Sequence, residues 1–181
     1  MITVRAEESR DVDGIELVII DAFANSEFGH QGEAELVRQL RDNCNDRISL
    51  VAVDSERIVG HVLFTPVVLQ TGETQHWGMG LAPVSIASDR QRSGIGTRLI
   101  DAGIAELASQ GCPFVVVLGH PDYYRRFGFE PASQFGIEHG FDGAPQELLF
   151  IKTLDFELPA RTAGMTVRYR AEFGPQHSDG S

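Results

Sequence analysis

Hydrophobic and polar positions along this chain follow two rhythms. From Met1 to Ala6 they alternate, with Ile2 and Val4 on one side, which predicts a short strand. The acidic stretch Glu7 to Asp13 then opens a helix whose apolar positions are Ile15, Val18, Ile19, Ala22 and Phe23. After a turn around Asn25 to Gly32 the spacing returns at Leu36, Val37 and Leu40, a second helix over Glu33 to Asn43. Next the period drops to two. Ile48 to Asp54 and Arg57 to Leu69 read as a hairpin closed by a tight turn at Asp54-Ser55-Glu56. Gln75 to Ala87 is a third strand of this meander, loosened by Gly78, Gly80 and Pro83, where a bulge is expected. Gly94 to Gln110 is a long amphipathic helix on Ile95, Leu99, Ile100, Ile104 and Leu107, stopped at Gly111. Phe114 to Leu118 is a wholly apolar run, read as a buried strand. Pro121 opens a short helix through Arg126 that Gly128 terminates. Glu147 to Phe156 and Met165 to Phe173 read as two further strands, and Gly174 to Ser181 as a frayed tail.

This order predicts a mixed α/β domain with an antiparallel first half. The strand, helix, strand unit from Gln75 to Leu118 is the one segment that calls for a parallel pairing by crossover. In such sheets ligands favour the crevice at the carboxyl ends of the strands. A length of 181 residues fits one domain, and 42% hydrophobic against 23% charged residues supplies a core. The net charge of −11 argues against a nucleic-acid partner, which needs clustered Lys and Arg. That charge is uneven: Met1 to Asp46 holds 11 acids against 4 bases, Val84 to Glu130 five of each. A neutral middle suits an anion and an acidic front a cation. No apolar run approaches the roughly 18 residues of a membrane helix and the first residues lack a signal-type apolar stretch, so a cytoplasmic protein with no membrane partner is expected. Cys44 and Cys112 lie far apart in the chain, and with the scattered histidines His30, His76, His139 and His177 they show no metal-ligand spacing. Neither a disulfide framework nor a metal site is expected.

The chemistry concentrates at Gln91-Arg92-Ser93-Gly94-Ile95-Gly96-Thr97, directly after a strand and opening a helix. Small residues there let backbone N–H groups converge on an anion at a helix N-terminus, and Arg90, Arg92 and Arg98 flank the segment. The Walker pattern is absent, and the dinucleotide fingerprint would need glycine where Leu99 stands. Gln91, Gly94 and Gly96 instead spell Gln/Arg-x-x-Gly-x-Gly/Ala, which resembles the pyrophosphate signature of the GNAT superfamily of acetyl-CoA-dependent N-acetyltransferases. A second segment, Leu118-Gly119-His120-Pro121-Asp122-Tyr123-Tyr124-Arg125-Arg126-Phe127-Gly128-Phe129, resembles the family's Tyr-x-x-x-Gly-Phe after its fifth strand, in a small bacterial branch that carries Leu-Gly-x-Pro-x-Tyr-Tyr. The element order resembles that fold over residues 2 to 156. One departure is that the Asn often found shortly before the family's tyrosine is missing, Val117 to His120 standing there.

The resemblance implies a single-domain α/β fold with a mixed, mostly antiparallel central sheet, flanking helices, and a cofactor cleft where the fourth and fifth strands splay. On this reading residues 1–156 are the acetyltransferase domain, 157–173 a C-terminal strand extension, and 174–181 the tail. It further implies direct transfer of an acetyl group from acetyl-CoA to a primary amine of a small molecule or protein, without a covalent acyl-enzyme. Such transfer needs an uncharged amine, charge stabilisation on the carbonyl oxygen and a proton for the departing thiolate. Tyr124 would supply the proton, with an ordinary phenol pKa of about 10. Backbone groups of Val84, Ser85 and Ile86 would hold the pantetheine arm and polarise the carbonyl, and Gln91, Arg92, Ser93, Gly94, Ile95, Gly96 and Thr97 would hold the pyrophosphate. For the general base Glu33, Glu35, His61, His120 or an ordered water all remain, His61 standing alone in an apolar strand where a hydrogen-bonded core histidine is the common case. The acidic front favours a cationic acceptor. A sensor that binds coenzyme A without turnover is the alternative, and the final strand offers a sheet edge for a homodimer.

Overall fold

A computed structural model describes residues 1–24, 32–154 and 162–177. The expected turn around Asn25 to Gly32 lies, except for Gly32, outside the described residues, as do the boundary at 156 and the last four residues of the tail. Contacts divide the chain into two compact units, Met1–Phe64 with Ala82–Glu106, and Thr65–Leu81 with Leu107–Ser181. The chain passes between them within two strands and one helix, so neither unit is contiguous in sequence.

In the first unit β1 (Ile2–Ala6) pairs antiparallel with β2 (Ile48–Asp54), from Ile2↔Asp54 to Ala6↔Leu50. β2 pairs antiparallel with β3 (Arg57–Thr71), and the register shifts between Ala52 and Val53. The expected helices stand as α1 (Val12–Phe23), after a 3-10 turn at Ser9–Asp11, and α2 (Glu33–Asn43). Ile15, Val18 and Ile19 of α1 and Val37 and Leu40 of α2 are buried, which is why their 3.6-residue spacing was decisive. Asp11 anchors the entry to α1. Its carboxylate takes two bonds from the Arg5 guanidinium, at 2.6 and 2.9 Å, and one from the Glu8 N–H at 2.8 Å. The Arg5 bonds outweigh burial and hold its pKa below the ordinary range.

β4 (Thr74–Ile86) begins in the second unit and ends in the first, and α3 (Ile95–Ser109) follows it. In the second unit the strand order is β3-β4-β5-β8-β6. β5 (Phe114–Leu118) pairs with β4 in parallel, at Met79↔Val115 and Gly80↔Val116, as the crossover required. α4 (Pro121–Tyr124), a 3-10 turn and β6 (Glu130–Pro131) follow, and β8 (Leu149–Thr153) runs antiparallel to both β5 and β6. Phe114, Val116, Leu69, Ile151 and Val167 form this unit's core.

Three expectations are corrected here. The strand expected from Glu147 begins at Leu149, because Gln146–Leu148 is a 3-10 turn and the Gln146 amide is spent bonding both backbone groups of His139 at 2.9 Å. The strand expected over Met165 to Phe173 stops at Arg168 as β9 (Met165–Arg168), because the Gln176 side chain takes over the backbone N–H and C=O of Tyr169, at 2.9 and 3.0 Å. β9 is also no open edge. It pairs antiparallel with β3 and parallel with β7 (Ile137–His139), a second parallel pair that the crossover argument did not foresee, and the homodimer expectation loses its support.

The β2–β3 turn carries a measurable cost, since Ser55 and Glu56 both have positive φ, 49° and 74°. Residues with a Cβ are disfavoured there by roughly 1–2 kcal/mol each. Glu56→Gly is expected to stabilise the protein by about 1 kcal/mol, raising Tm by about 2–4 °C in a thermal melt.

Candidate active site

The Gln91–Thr97 segment lies in the first unit, and its shape follows from its sequence. A 3-10 turn at Ser88–Arg90 leads in, Arg92 and Gly94 both take positive φ (59° and 83°), and α3 begins at Ile95. The first intrahelical bond runs from Arg98 N–H to the Gly94 carbonyl at 3.1 Å. The N–H groups of Ile95, Gly96 and Thr97 therefore have no acceptor within the helix. A Cβ built on Gly94 would meet nothing within 4 Å. Packing does not require glycine here; the backbone angle and the open approach do.

Three carboxylates fix the lead-in. Asp21 of α1 accepts the Ser88 N–H at 2.7 Å and its hydroxyl at 3.0 Å, Asp89 takes both Arg57 nitrogens at 2.9 and 3.0 Å, and Asp54 pairs with Arg90 at 2.9 Å. Arg98 is spent on the Ile2 carbonyl at 2.9 Å. Of the three flanking arginines, Arg92 is therefore the one with neither an ion pair nor a side-chain hydrogen bond among the described residues, and it is exposed. Gln91 and Ser93 are also exposed, with Ser93 bonded to the Arg90 carbonyl, whereas Ile95 and Gly96 are buried. At the end of β4, Val84 and Ile86 are half-buried. Ser85 is fully buried, and its hydroxyl has no partner among the described residues.

His61 is a core residue of the same unit and 0% exposed. Its Nε2 lies 2.9 Å from the Ser49 hydroxyl, which donates to the Glu7 carboxylate, itself held by Arg41 Nε at 2.6 Å. Burial works to raise the Glu7 pKa, but the Arg41 and Ser49 bonds prevail and keep it ionised. A serine has one proton and Ser49 gives it to Glu7, so Nε2 must be the protonated nitrogen and Nδ1 the bare one. Burial pushes the imidazole down to about 4, so it is neutral near pH 7. A fully buried histidine engaged in this way is a structural residue, and the base is left to Glu33, Glu35, His120 or water. Of these, Glu35 is exposed and bonded to Arg38 and to Gln39, the latter at 2.8 Å, and His120 is exposed at the N-cap of α4.

In the second unit Tyr124 ends α4, half-buried, with its ring 5.0 Å from Tyr123 and 6.0 Å from Phe129. A Cβ on Gly119 would sit 2.2 Å from the Tyr124 ring, so the glycine after β5 is what admits it. The expectation of an unperturbed phenol is corrected: burial, helped by Tyr123, raises the Tyr124 pKa above its usual 10. Tyr123 instead stacks under Arg126, 4.1 Å from its ring centre. Tyr169 was missed in the sequence. It lies just past β9, its ring against Gly80 and its hydroxyl buried with no partner among the described residues. The inward alternation Met165, Val167, Tyr169 was the signal available for it.

Among the described residues no group of three or more His, Cys, Asp or Glu side chains is placed to hold a metal, and no helix is long and apolar enough to cross a membrane. Cys44 is buried. Cys112 is half-buried, and burial raises its thiol pKa, so it stays protonated.

A β-α-β crossover whose helix start leaves N–H groups without acceptors in the helix is the arrangement in which phosphate-bearing ligands are commonly received. Residues 3–132 match the family model of the acetyltransferase (GNAT) domain, and the chain belongs to that family of acetyl-CoA-dependent acetyltransferases. It is 35% identical over 141 residues to the N-acetyltransferase YhbS of Escherichia coli, spanning 77% of this chain and 80% of that one. Among solved structures it resembles a GNAT acetyltransferase of Brucella melitensis in complex with acetyl-CoA, with a TM-score of 0.78, 31% identity, and coverage of 96% and 99% of the two chains. It also resembles E. coli YhbS in complex with CoA, with a TM-score of 0.80, 28% identity, and coverage of 95% and 91%.

Gly94→Glu places bulk and negative charge into the open approach while removing no packing. It is expected to abolish acetyl-CoA binding in a calorimetric titration while the circular dichroism spectrum is retained; wild-type affinity would take this loop out of the site.

Proposed function

We propose that this acetyltransferase moves the acetyl group of acetyl-CoA directly to an amine on a cationic small molecule or a protein. On this reading the pyrophosphate sits on the Gln91–Thr97 loop. The observation that carries the reading is the loop itself: positive φ at Arg92 and Gly94, helix-start N–H groups, and open space over Gly94. Arg92 adds an exposed cation to this cradle. The backbone of Val84, Ser85 and Ile86 holds the pantetheine arm and polarises the thioester carbonyl.

Bound acetyl-CoA supplies an activated acyl group with a thiolate leaving group. The chain's part is to orient the amine, accept its proton and return one to sulfur. Tyr124 is the proton donor. Its raised pKa keeps it protonated throughout the physiological range, at some loss of acid strength. Neither cysteine is used as a nucleophile, consistent with the burial of Cys44 and the raised thiol pKa of half-buried Cys112.

The charge pattern supports a cationic acceptor more sharply than the bare sum does. All four bases of the front segment are consumed by its own acids, in the pairs Arg5–Asp11, Arg10–Glu8, Arg38–Glu35 and Arg41–Glu7. The net −7 of Met1 to Asp46 therefore rests on the other acids, which include Asp13, Glu16 and Asp42. In a panel of amine acceptors, polycationic compounds and basic peptides are expected to turn over best, and activity confined to anionic amines would overturn this assignment.

Tyr124→Phe is expected to lower kcat by about 10- to 1,000-fold with little change in acetyl-CoA affinity. Because the acid works only when protonated and its pKa lies above 10, kcat of the wild type should show no loss from this group up to about pH 10. Unchanged turnover in the variant would remove Tyr124 from the chemistry.

A further inference from the structure

Asp21 stands where its own helix does not favour an acid. It lies in the last turn of α1, which carries no base, and the carbonyl end of a helix dipole disfavours negative charge. The side chain is half-buried and has no ion pair among the described residues. Arg57, whose guanidinium feels its charge, gives both terminal nitrogens to Asp89, at 2.9 and 3.0 Å. What Asp21 holds is Ser88, 67 positions further along the chain, accepting its N–H at 2.7 Å and its hydroxyl at 3.0 Å. Ser88 is exposed, where water can satisfy both groups, so burial does not demand this contact.

The surroundings give the contact a use. Among the described residues no backbone N–H from Gln91 to Gly94 is bonded to a backbone carbonyl, and those of Ile95, Gly96 and Thr97 have no acceptor within α3. The segment therefore takes its pose from its lead-in. The ion pairs on that lead-in come from the β2–β3 hairpin, Asp54 on Arg90 and Arg57 on Asp89, whereas Asp21 ties it to a helix. Beside this tie lies a cleft of about 1090 Å³, lined by Gly14, Leu17 and Val18 of α1 and by Ser88 and Asp89, so packing on that side does not hold the two elements together.

We propose that Asp21 couples α1 to acetyl-CoA binding: its carboxylate holds Ser88, and through it the Gln91–Thr97 segment, in the pose that receives the cofactor. In this role Asp21 acts through Ser88 and is a positioning residue, not a catalytic one. A segment already in its bound pose loses less freedom on binding, and affinity rises accordingly. Linkage makes the effect reciprocal: whatever the bond contributes to binding, binding contributes to the bond. Acetyl-CoA therefore steadies the carboxyl end of α1, a helix outside the loop itself.

The inference rests on the reading of Gln91–Thr97 as the acetyl-CoA loop. Two variants of the full chain test it by calorimetric titration with acetyl-CoA, steady-state kinetics and amide hydrogen exchange. Asp21→Ala is expected to weaken acetyl-CoA binding and raise its KM by about tenfold, with kcat within about twofold and Tm lowered by no more than about 4 °C. Asp21→Asn keeps an acceptor for the Ser88 N–H and is expected to stay within about threefold of the wild type. In the wild type, acetyl-CoA is expected to slow exchange of the amides at Ile19 to Phe23 by about threefold or more, an effect absent from Asp21→Ala. Wild-type affinity in Asp21→Ala overturns the inference, as does a lower kcat at unchanged KM. Equal losses in the alanine and asparagine variants overturn it too, because charge rather than the hydrogen bond would then be at work. A larger fall in Tm makes the bond a support of the fold and overturns it as well, and so does exchange at the end of α1 that acetyl-CoA leaves unchanged in the wild type. Wild-type affinity in Gly94→Glu instead removes the loop reading on which the inference rests.

Discussion

The N–H groups of Ile95, Gly96 and Thr97 find no acceptor within α3, so the segment that leads into them is held by other means, and much of the first unit supplies those means. Segments are ordinarily fixed by pairing their own peptide groups. Here the fixing is handed to carboxylates from outside the loop: Asp21 from α1 on Ser88, and Asp54 from the hairpin on Arg90. Asp89, within the lead-in, reaches back to Arg57. An acidic front half therefore has two uses. Some of its acids hold the approach to the loop, and others pair with its own bases.

Polar groups inside the two units show the same economy in different ways. Glu7, Arg41, Ser49 and His61 form a buried chain of bonds in which the serine proton sets the histidine tautomer. That arrangement ties the end of β1 to α2 and to the β2–β3 pair. It explains why a histidine can interrupt an apolar strand without being a catalyst. In the second unit, burial acts on phenols instead, raising both Tyr124 and Tyr169. Both units leave some buried polar atoms without a partner among the described residues, His61 Nδ1 and the Ser85 hydroxyl in the first and the Tyr169 hydroxyl in the second.

Most of this was legible in the sequence wherever periodicity met a clear stop. α2 and β2 were readable to the residue because their apolar faces are bounded by Gly32, Asn45 and Asp54-Ser55. The loop at Gly94 was readable because backbone conformation is written in glycine. The later strands were not, because their limits are set by side chains from distant positions: Gln146 on His139, and Gln176 on Tyr169. No local pattern records that a glutamine amide will stand in for a strand partner. For the same reason β7, only three residues long, gave no alternation to find. The role of His61 hung on a proton count that required Ser49 and Glu7 to be near it in space.

The amide of Gln176 has a wider consequence. Its two atoms copy a peptide unit, closing the ladder at Tyr169 where the strand itself has ended, and the neighbouring His177 N–H bonds to the Gly140 carbonyl at 2.8 Å. The last described residues are thus a clasp rather than a tail. Segments after the final strand are commonly trimmed or extended in recombinant work on the assumption that nothing depends on them. In this molecule, loosening two hydrogen bonds near the carboxyl terminus would release the backbone of the very tyrosine that lies against β4.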